Sequence, residues 1–222
     1  MPSVAGQHRL AAVPLFPLPN VVLFPRAVLP LHIFEQRYRE MVADALEGDR
    51  LIAMALLRPG WEKHYYARPE IEPIVCVGTI LTHELLPDGK YNLLLQGTQR
   101  ARIVCEHGQR AYRVADLVTL EETPIAESDL ASHRQQLVEI FSDAKFAVTS
   151  AGRQFLQILM SPLPTSDVAD LLAFNLLEDV GLKQSLLADP DIRRRVARVI
   201  EAMHAVRSAL APPPKFDAPS LN

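Results

Sequence analysis

The sequence predicts an α+β protein in which a strand-rich barrel is followed by a bundle of helices. Proline placement is one reason: of eighteen prolines, eleven fall in residues 1–124, three in 125–211 and four in the last eleven residues. Apolar spacing is the other. Short apolar runs and alternation precede Pro124, and helical i, i+3, i+4, i+7 spacing follows it. There is no internal repeat. The expected organisation is a flexible N-terminus over 1–9, a barrel over 10–124, a helical part over 125–211 and a Pro-rich disordered tail over 212–222.

Val13–Leu18 and Val21–Phe24 are short apolar runs bounded by proline, which removes a ladder donor, so both are expected as edge strands. Residues 33–47 break the β pattern. Phe34, Tyr38, Met41, Val42, Ala45 and Leu46 share a helical face, and Gly48 supplies the stop. Leu51–Leu57 is wholly apolar and is expected as a strand buried on both faces. Residues 58–73 read as a long loop. Val75–Leu85 and Tyr91–Gln96 form a hairpin about Pro87-Asp88-Gly89, where proline sets φ and glycine takes the positive-φ position. Ala101–Glu106 and Arg113–Leu120 complete a largely antiparallel sheet of about six strands, partly closed into a barrel.

Ser128 is the expected N-cap of the first later helix, with Leu130, Leu137, Phe141 and Val148 on its apolar face. A short helix covers Gln154–Met160, and another covers Asp167–Asp179 with Gly181 as its stop. Asp189-Pro190 supplies cap and first residue for a last helix whose stripe is Ile192, Val196, Val199, Ile200, Met203, Val206 and Leu210.

Hydrophobic residues at 49% and charged residues at 22% exclude a wholly disordered chain. A net charge of −3 argues against a non-specific nucleic-acid binder. The longest apolar run, Leu51–Leu57, falls far short of the ~18 residues of a membrane span. Pro14, Pro17 and Pro19 interrupt the apolar stretch that a signal peptide would need. With only two cysteines and no disulfide framework, a cytoplasmic protein is expected. The nine glycines form neither GxGxxG nor a P-loop, and HExxH and GxSxG are missing, so no cofactor and no catalytic residue is expected.

The chemistry-bearing clusters have plain readings beside sharper ones. Cys76, His83, Cys105 and His107 could approach a metal set, but two core thiols and two strand-end histidines account for them, and no metal is expected. His32 and Glu35 with Asp44 could imitate an acid–base set; capping, or a Glu35–Arg39 ion pair at i, i+4, is the simpler reading. Arg193, Arg194, Arg195 and Arg198 read as a solvated face offset by Asp189 and Asp191. The 58–73 loop carries the only tryptophan, Trp61, with His64, Tyr65 and Tyr66. These aromatics either bind an extended peptide by burial or fold back over the sheet edge.

The stretch LPNVVLFPRAVLPLHIFEQRYREMV, Leu18 to Val42, resembles the N-terminal domain of the Lon ATP-dependent protease family. The likeness lies in Pro25, Leu29, Pro30, Leu31, Ile33, Phe34, Glu35, Arg37 and Tyr38. Val77–Ile80, Leu85–Ile103, Asp170–Leu176 and Leu182–Val196 are similar to later parts of that domain, so that it spans residues 10–205 or so. The resemblance implies a PUA-like barrel, a helical bundle and recognition of unfolded or tagged polypeptides. In the full protease an ATPase and a Ser-Lys peptidase follow; with no P-loop in these 222 residues, a stand-alone, non-catalytic domain is expected. Pro25, Pro30, Phe34 and Tyr38 should shape and fill the junction at the first helix, and Glu35, Arg37, Arg100 and Arg102 should form a charged network inside the fold.

The expected function is binding of unfolded polypeptide or a protein partner, including a separate ATPase or protease, through an apolar groove or sheet edge. Trp61, His64, Tyr65 and Tyr66 are the expected contacts. Two rivals are RNA binding by the barrel, and an enzyme with an unmarked small-molecule site to be sought at His32, His64 or His83.

Overall fold

Val13, Leu15, Ala53, Ala55, Val75, Val77, Ala101, Ala115 and Leu117 recur at every second residue along five strands and meet in one buried cluster. In the computed structural model, which describes residues 8–64, 68–108 and 110–210, this cluster is the inside of a closed sheet. The strands are β1 (Arg9–Leu18), β2 (Val28–Ile33), β3 (Leu51–Leu56), β4 (Ile74–Leu85), β5 (Tyr91–His107) and β6 (Arg113–Thr119). Their order is β2-β5-β4-β3-β1-β6, and β5 also pairs with β6. That pairing closes five strands into a ring. Four of the nine inward side chains are alanines, which suits the narrow interior of a barrel with so few strands.

The sheet is mixed: β1 and β3 run parallel, Leu15 opposite Ala53, and the other pairings are antiparallel. β5 is one continuous strand of 17 residues rather than the two expected. Its first part is flanked by β2 and β4 beyond the barrel, and its last part pairs with β6. The polar stretch Gln96–Arg100 hid this continuity, because it lies where the strand passes from hairpin into ring. Val21–Phe24 is no strand, although Val22, Leu23 and Phe24 are fully buried. The segment is pinned instead at Gly97, whose N–H donates to Ala27 and whose carbonyl accepts from Arg26. A Cβ on Gly97 would sit 2.1 Å from the Phe24 carbonyl oxygen, so only glycine allows this approach. β2 was missed in sequence because of Pro30, which an edge strand tolerates.

The first helix, α1 (Gln36–Glu47), buries Tyr38, Met41, Val42 and Ala45. Phe34 lies outside it and is 59% exposed, and Pro30 is exposed too, so neither fills the junction; Tyr38 does, packing 4.6 Å from the Phe16 ring. Pro25 is half-buried. Glu35 ion-pairs with Arg37 at 3.0 Å rather than with Arg39, whose guanidinium lies against Gly89 in the hairpin turn. Gly89 has φ +78°, as its turn requires.

The later helices are α2 (Ala131–Ser142), α3 (Ala144–Ala147), α4 (Ser150–Leu159), α5 (Thr165–Leu176), α6 (Val180–Leu187) and α7 (Ile192–Ala209). Ser128 lies inside a short 3-10 turn, Glu127–Leu130, rather than capping a helix. Asp143 interrupts the α2 face by capping α3, its carboxylate accepting from Lys145 N–H at 2.9 Å, and Val148 turns outward. Gly181 is within α6, not a stop. The cap of α7 is Asp191, which accepts from Arg194 N–H. One apolar cluster runs from the outer barrel face, through Phe24, Ile52 and Met54, to Leu137, Leu172, Val196 and Met203 of the helices. Among the described residues no helix is long and apolar enough to cross a membrane.

A charged group sits at this seam. Arg100 of β5 donates to Asp170 of α5 at 2.6 Å, to Glu122 at 3.1 Å and to the Leu187 carbonyl at 3.1 Å. Arg195 of α7 meets Glu122 at 2.5 Å and Asp170 at 3.3 Å. Arg195 is 1% exposed, so the basic run of α7 is not wholly a solvated face: at i, i+4 from Val199 this position points inward. Burial opposes the Arg100 charge, yet Asp170 and Glu122 hold its pKa above the ordinary guanidinium value. Arg102, expected in such a network, is exposed.

Candidate functional site

The 58–73 loop is tied at its base. Leu57 bridges Ile71, Arg58 N–H donates to Glu70 O at 2.9 Å, and Glu72 N–H donates to Leu56 O at 2.8 Å. Gly60 takes φ +89° and starts a 3-10 turn over Trp61–His64. Two hollows open beside this loop, at the end of the barrel where β1 and β3 finish, and Leu57 belongs to the wall of both.

One hollow is mainly apolar. It holds about 630 Å³ between the loop, the start of β4 and α6. Leu56, Leu57, Pro59, Trp61, Pro73 and Ile74 face Val180, Gly181, Gln184 and Ala188. Gln184 ties the two sides together, its Nε2 donating to Ile74 O at 2.9 Å. A Cβ on Gly181 would meet only Asp179 Oδ1, at 3.2 Å, so the absence of a side chain there keeps the hollow wide. The arrangement can bury an apolar side chain beside an indole, with Ser185 and Glu72 at the wall for polar contacts.

The other hollow holds about 700 Å³ and is rich in guanidinium groups: Arg37, Arg68, Arg110 and Arg113 line it with Glu35, Tyr38 and Tyr112. Arg113 grips Glu106 with two hydrogen bonds, at 2.8 and 2.6 Å, and donates to Pro69 O at 2.6 Å. Arg110 pairs with Asp44 and donates to the Tyr112 hydroxyl. Burial and the hydrogen bond to Asp44 push the Tyr112 phenol up to about 12. The Arg37 guanidinium lies 4.6 Å from the Tyr38 ring centre.

Of the residues expected at the site, Trp61 lines the apolar hollow. His64 ends the 3-10 turn, and its side chain, like Tyr65 and Tyr66, lies outside what the structure describes. The acid–base trio is not assembled: His32 bonds Asn92 at 2.8 Å, Glu35 meets Arg37, and Asp44 meets Arg110 and Tyr112. The four metal candidates are dispersed as well. Cys76 is buried beside Arg100, its thiol pushed up to about 12 by burial; Cys105 is exposed rather than a core thiol; His107 bonds Asp116 at 2.9 Å; His83 faces Arg50. Among the described residues no group of three His, Cys, Asp or Glu is placed to hold a metal ion. Sequence reading missed α6 as a wall and Arg68, Arg110 and Arg113 as a set, since no periodicity links them.

A closed barrel with helices packed on its outer face is the architecture of Lon N-terminal domains. The N-terminal domain of a Mycobacterium avium complex Lon protease superposes with a TM-score of 0.68, at 15% identity, over 87% of this chain and 98% of that one. A Lon N-terminal domain protein from Xanthomonas campestris gives 0.59 at 23% identity, over 86% and 98%. At these identities the likeness shows the fold.

The chain belongs to the family of the ATP-dependent protease La (LON) substrate-binding domain, whose profile matches residues 12–205. Similar curated proteins include the Lon proteases of Dictyoglomus thermophilum, 26% identical over 84% of this chain, and of Trichlorobacter lovleyi, 28% identical over 89%. This chain spans 23% and 25% of their respective lengths. The matched family is a substrate-recognition domain.

Proposed function

We propose that this chain recognises polypeptide segments without acting on them chemically, seating a bulky apolar side chain in the hollow walled by Trp61, Leu56, Ile74 and Val180. The observation that carries this reading is an apolar hollow beside the only tryptophan, at the seam between barrel and helices. The family's description as a substrate-binding domain supports it. Docking along the sheet edge is the weaker route: that edge is β2, and Pro30 leaves it one amide donor short. The chain would present clients, and any cleavage would belong to an ATPase and peptidase such as Lon proteases carry.

The test is fluorescence anisotropy of a labelled, permanently unfolded polypeptide titrated with the protein while Trp61 emission is followed. Saturable binding in the micromolar range with an emission change is expected. Gly181→Leu, which fills the hollow, should abolish both with little loss of stability. Binding that is indifferent to Gly181→Leu and Trp61→Ala would remove the hollow as the site.

A further inference from the structure

Resting on that reading, we infer that the arginine-lined hollow on the other side of Leu57 takes carboxylates of the same polypeptide, so that the preferred segment couples an apolar side chain to acidic neighbours. Among the described residues, four guanidinium groups line this hollow and one carboxylate, Glu35, does so. Asp44 and Glu106 hold Arg110 and Arg113 without belonging to the wall. The four groups are not equivalent. Arg113 is 12% exposed and committed to Glu106 and Pro69. Arg68 is exposed and donates to a carbonyl, that of His107, at 3.4 Å. The Arg110 side chain is 54% exposed. Arg68 and Arg110 are therefore the groups that meet a ligand.

A planar guanidinium fork suits a carboxylate, and a concave wall of one predominant charge concentrates that field. Because Leu57 belongs to the wall of both hollows, the two lie side by side, within reach of neighbouring residues of one bound segment. A nucleic acid fits less well. Tyr38 and Tyr112 are 5% and 4% exposed, so their ring faces are not open for bases to stack on.

The experiment titrates the full chain against labelled peptides of equal length built around one phenylalanine, with flanking residues that are acidic, neutral or basic. A labelled oligouridylate is the fourth probe. The acidic peptide should bind about tenfold more tightly than the neutral one, and the basic one more weakly. Raising salt from about 0.05 M to about 0.5 M should close the gap by shortening the screening length. Arg68→Ser should remove most of the preference and leave neutral-peptide binding intact. Arg68→Ser together with Arg110→Ser should remove the rest, with folding checked by thermal melting. Equal binding of acidic and neutral peptides, both lost in Gly181→Leu, overturns this inference and leaves polypeptide recognition standing. Failure of every peptide overturns recognition itself. Oligouridylate binding that depends on Arg68 overturns the inference in favour of nucleic acid.

Discussion

Two groups of arginines in this fold do opposite work. At the seam, Arg100 and Arg195 are 4% and 1% exposed and share Asp170 and Glu122 between them. At the loop end, Arg68 and Arg110 are exposed and line a hollow, Arg68 donating to the His107 carbonyl and Arg110 meeting Asp44 and the Tyr112 hydroxyl. The first group joins a strand, a connecting segment and two helices. Its charges are expensive to bury, and removing one partner strands the others. The second group costs the fold little, because solvent already screens it. Burial, more than residue type, decides whether an arginine holds the fold or stands open to solvent.

The sharpest way to break this comparison is Arg195→Met. It leaves Asp170 and Glu122 with one guanidinium at a buried site, and an uncompensated buried charge costs about 3–5 kcal/mol. Urea unfolding should show that loss, whereas Arg68→Ser should stay within about 0.5 kcal/mol of the parent. Equal effects would end the distinction. Trp61→Ala comes next and should read out in binding rather than stability. Truncating a central aromatic contact costs about 2 kcal/mol, or roughly 30-fold in Kd, measured by the anisotropy titration. Arg113→Ala lies between the two groups, since Arg113 both lines the hollow and anchors the loop. Losing its bonds to Glu106 and Pro69 should cost about 1 kcal/mol and speed amide exchange in residues 68–72.

Much of the architecture was legible in sequence because its signals are local. Leu51–Leu57 announced a doubly buried strand, and in the structure Ala53 and Ala55 face the barrel while Ile52 and Met54 face the helices. Pro87-Asp88-Gly89 announced the hairpin, and Tyr38, Met41, Val42 and Ala45 the first helix. The parallel pairing of β1 with β3 was not legible, since it depends on residues nearly forty apart in the chain, as with Leu15 and Ala53. Nor was the inward turn of Arg195, whose neighbours in sequence are arginines and whose neighbours in space are Asp170 and Glu122. The site divides the same way. Trp61 could be singled out by type, but its opposing wall comes from α6, and the guanidinium groups come from the loop, α1, the approach to β6 and the first residue of β6.

The smallest expected effect concerns pH, and it separates Asp189 from the seam beside it. Asp189 accepts from Arg194 at 2.7 and 2.5 Å and from Asp191 N–H at 3.0 Å. The hydrogen bonds from Arg194 hold its carboxyl below the usual range, against the pull of burial. A carboxyl depressed on folding contributes stability above its unfolded pKa, near 3.9, and loses that contribution as pH falls through the lower folded value. Asp189→Asn should therefore destabilise at pH 7, and the gap to the parent should narrow below about pH 4. Urea unfolding of both proteins across that range measures it. A gap that stays constant would mean that Asp189 supports the start of α7 by hydrogen-bond geometry alone, which asparagine disrupts equally at every pH.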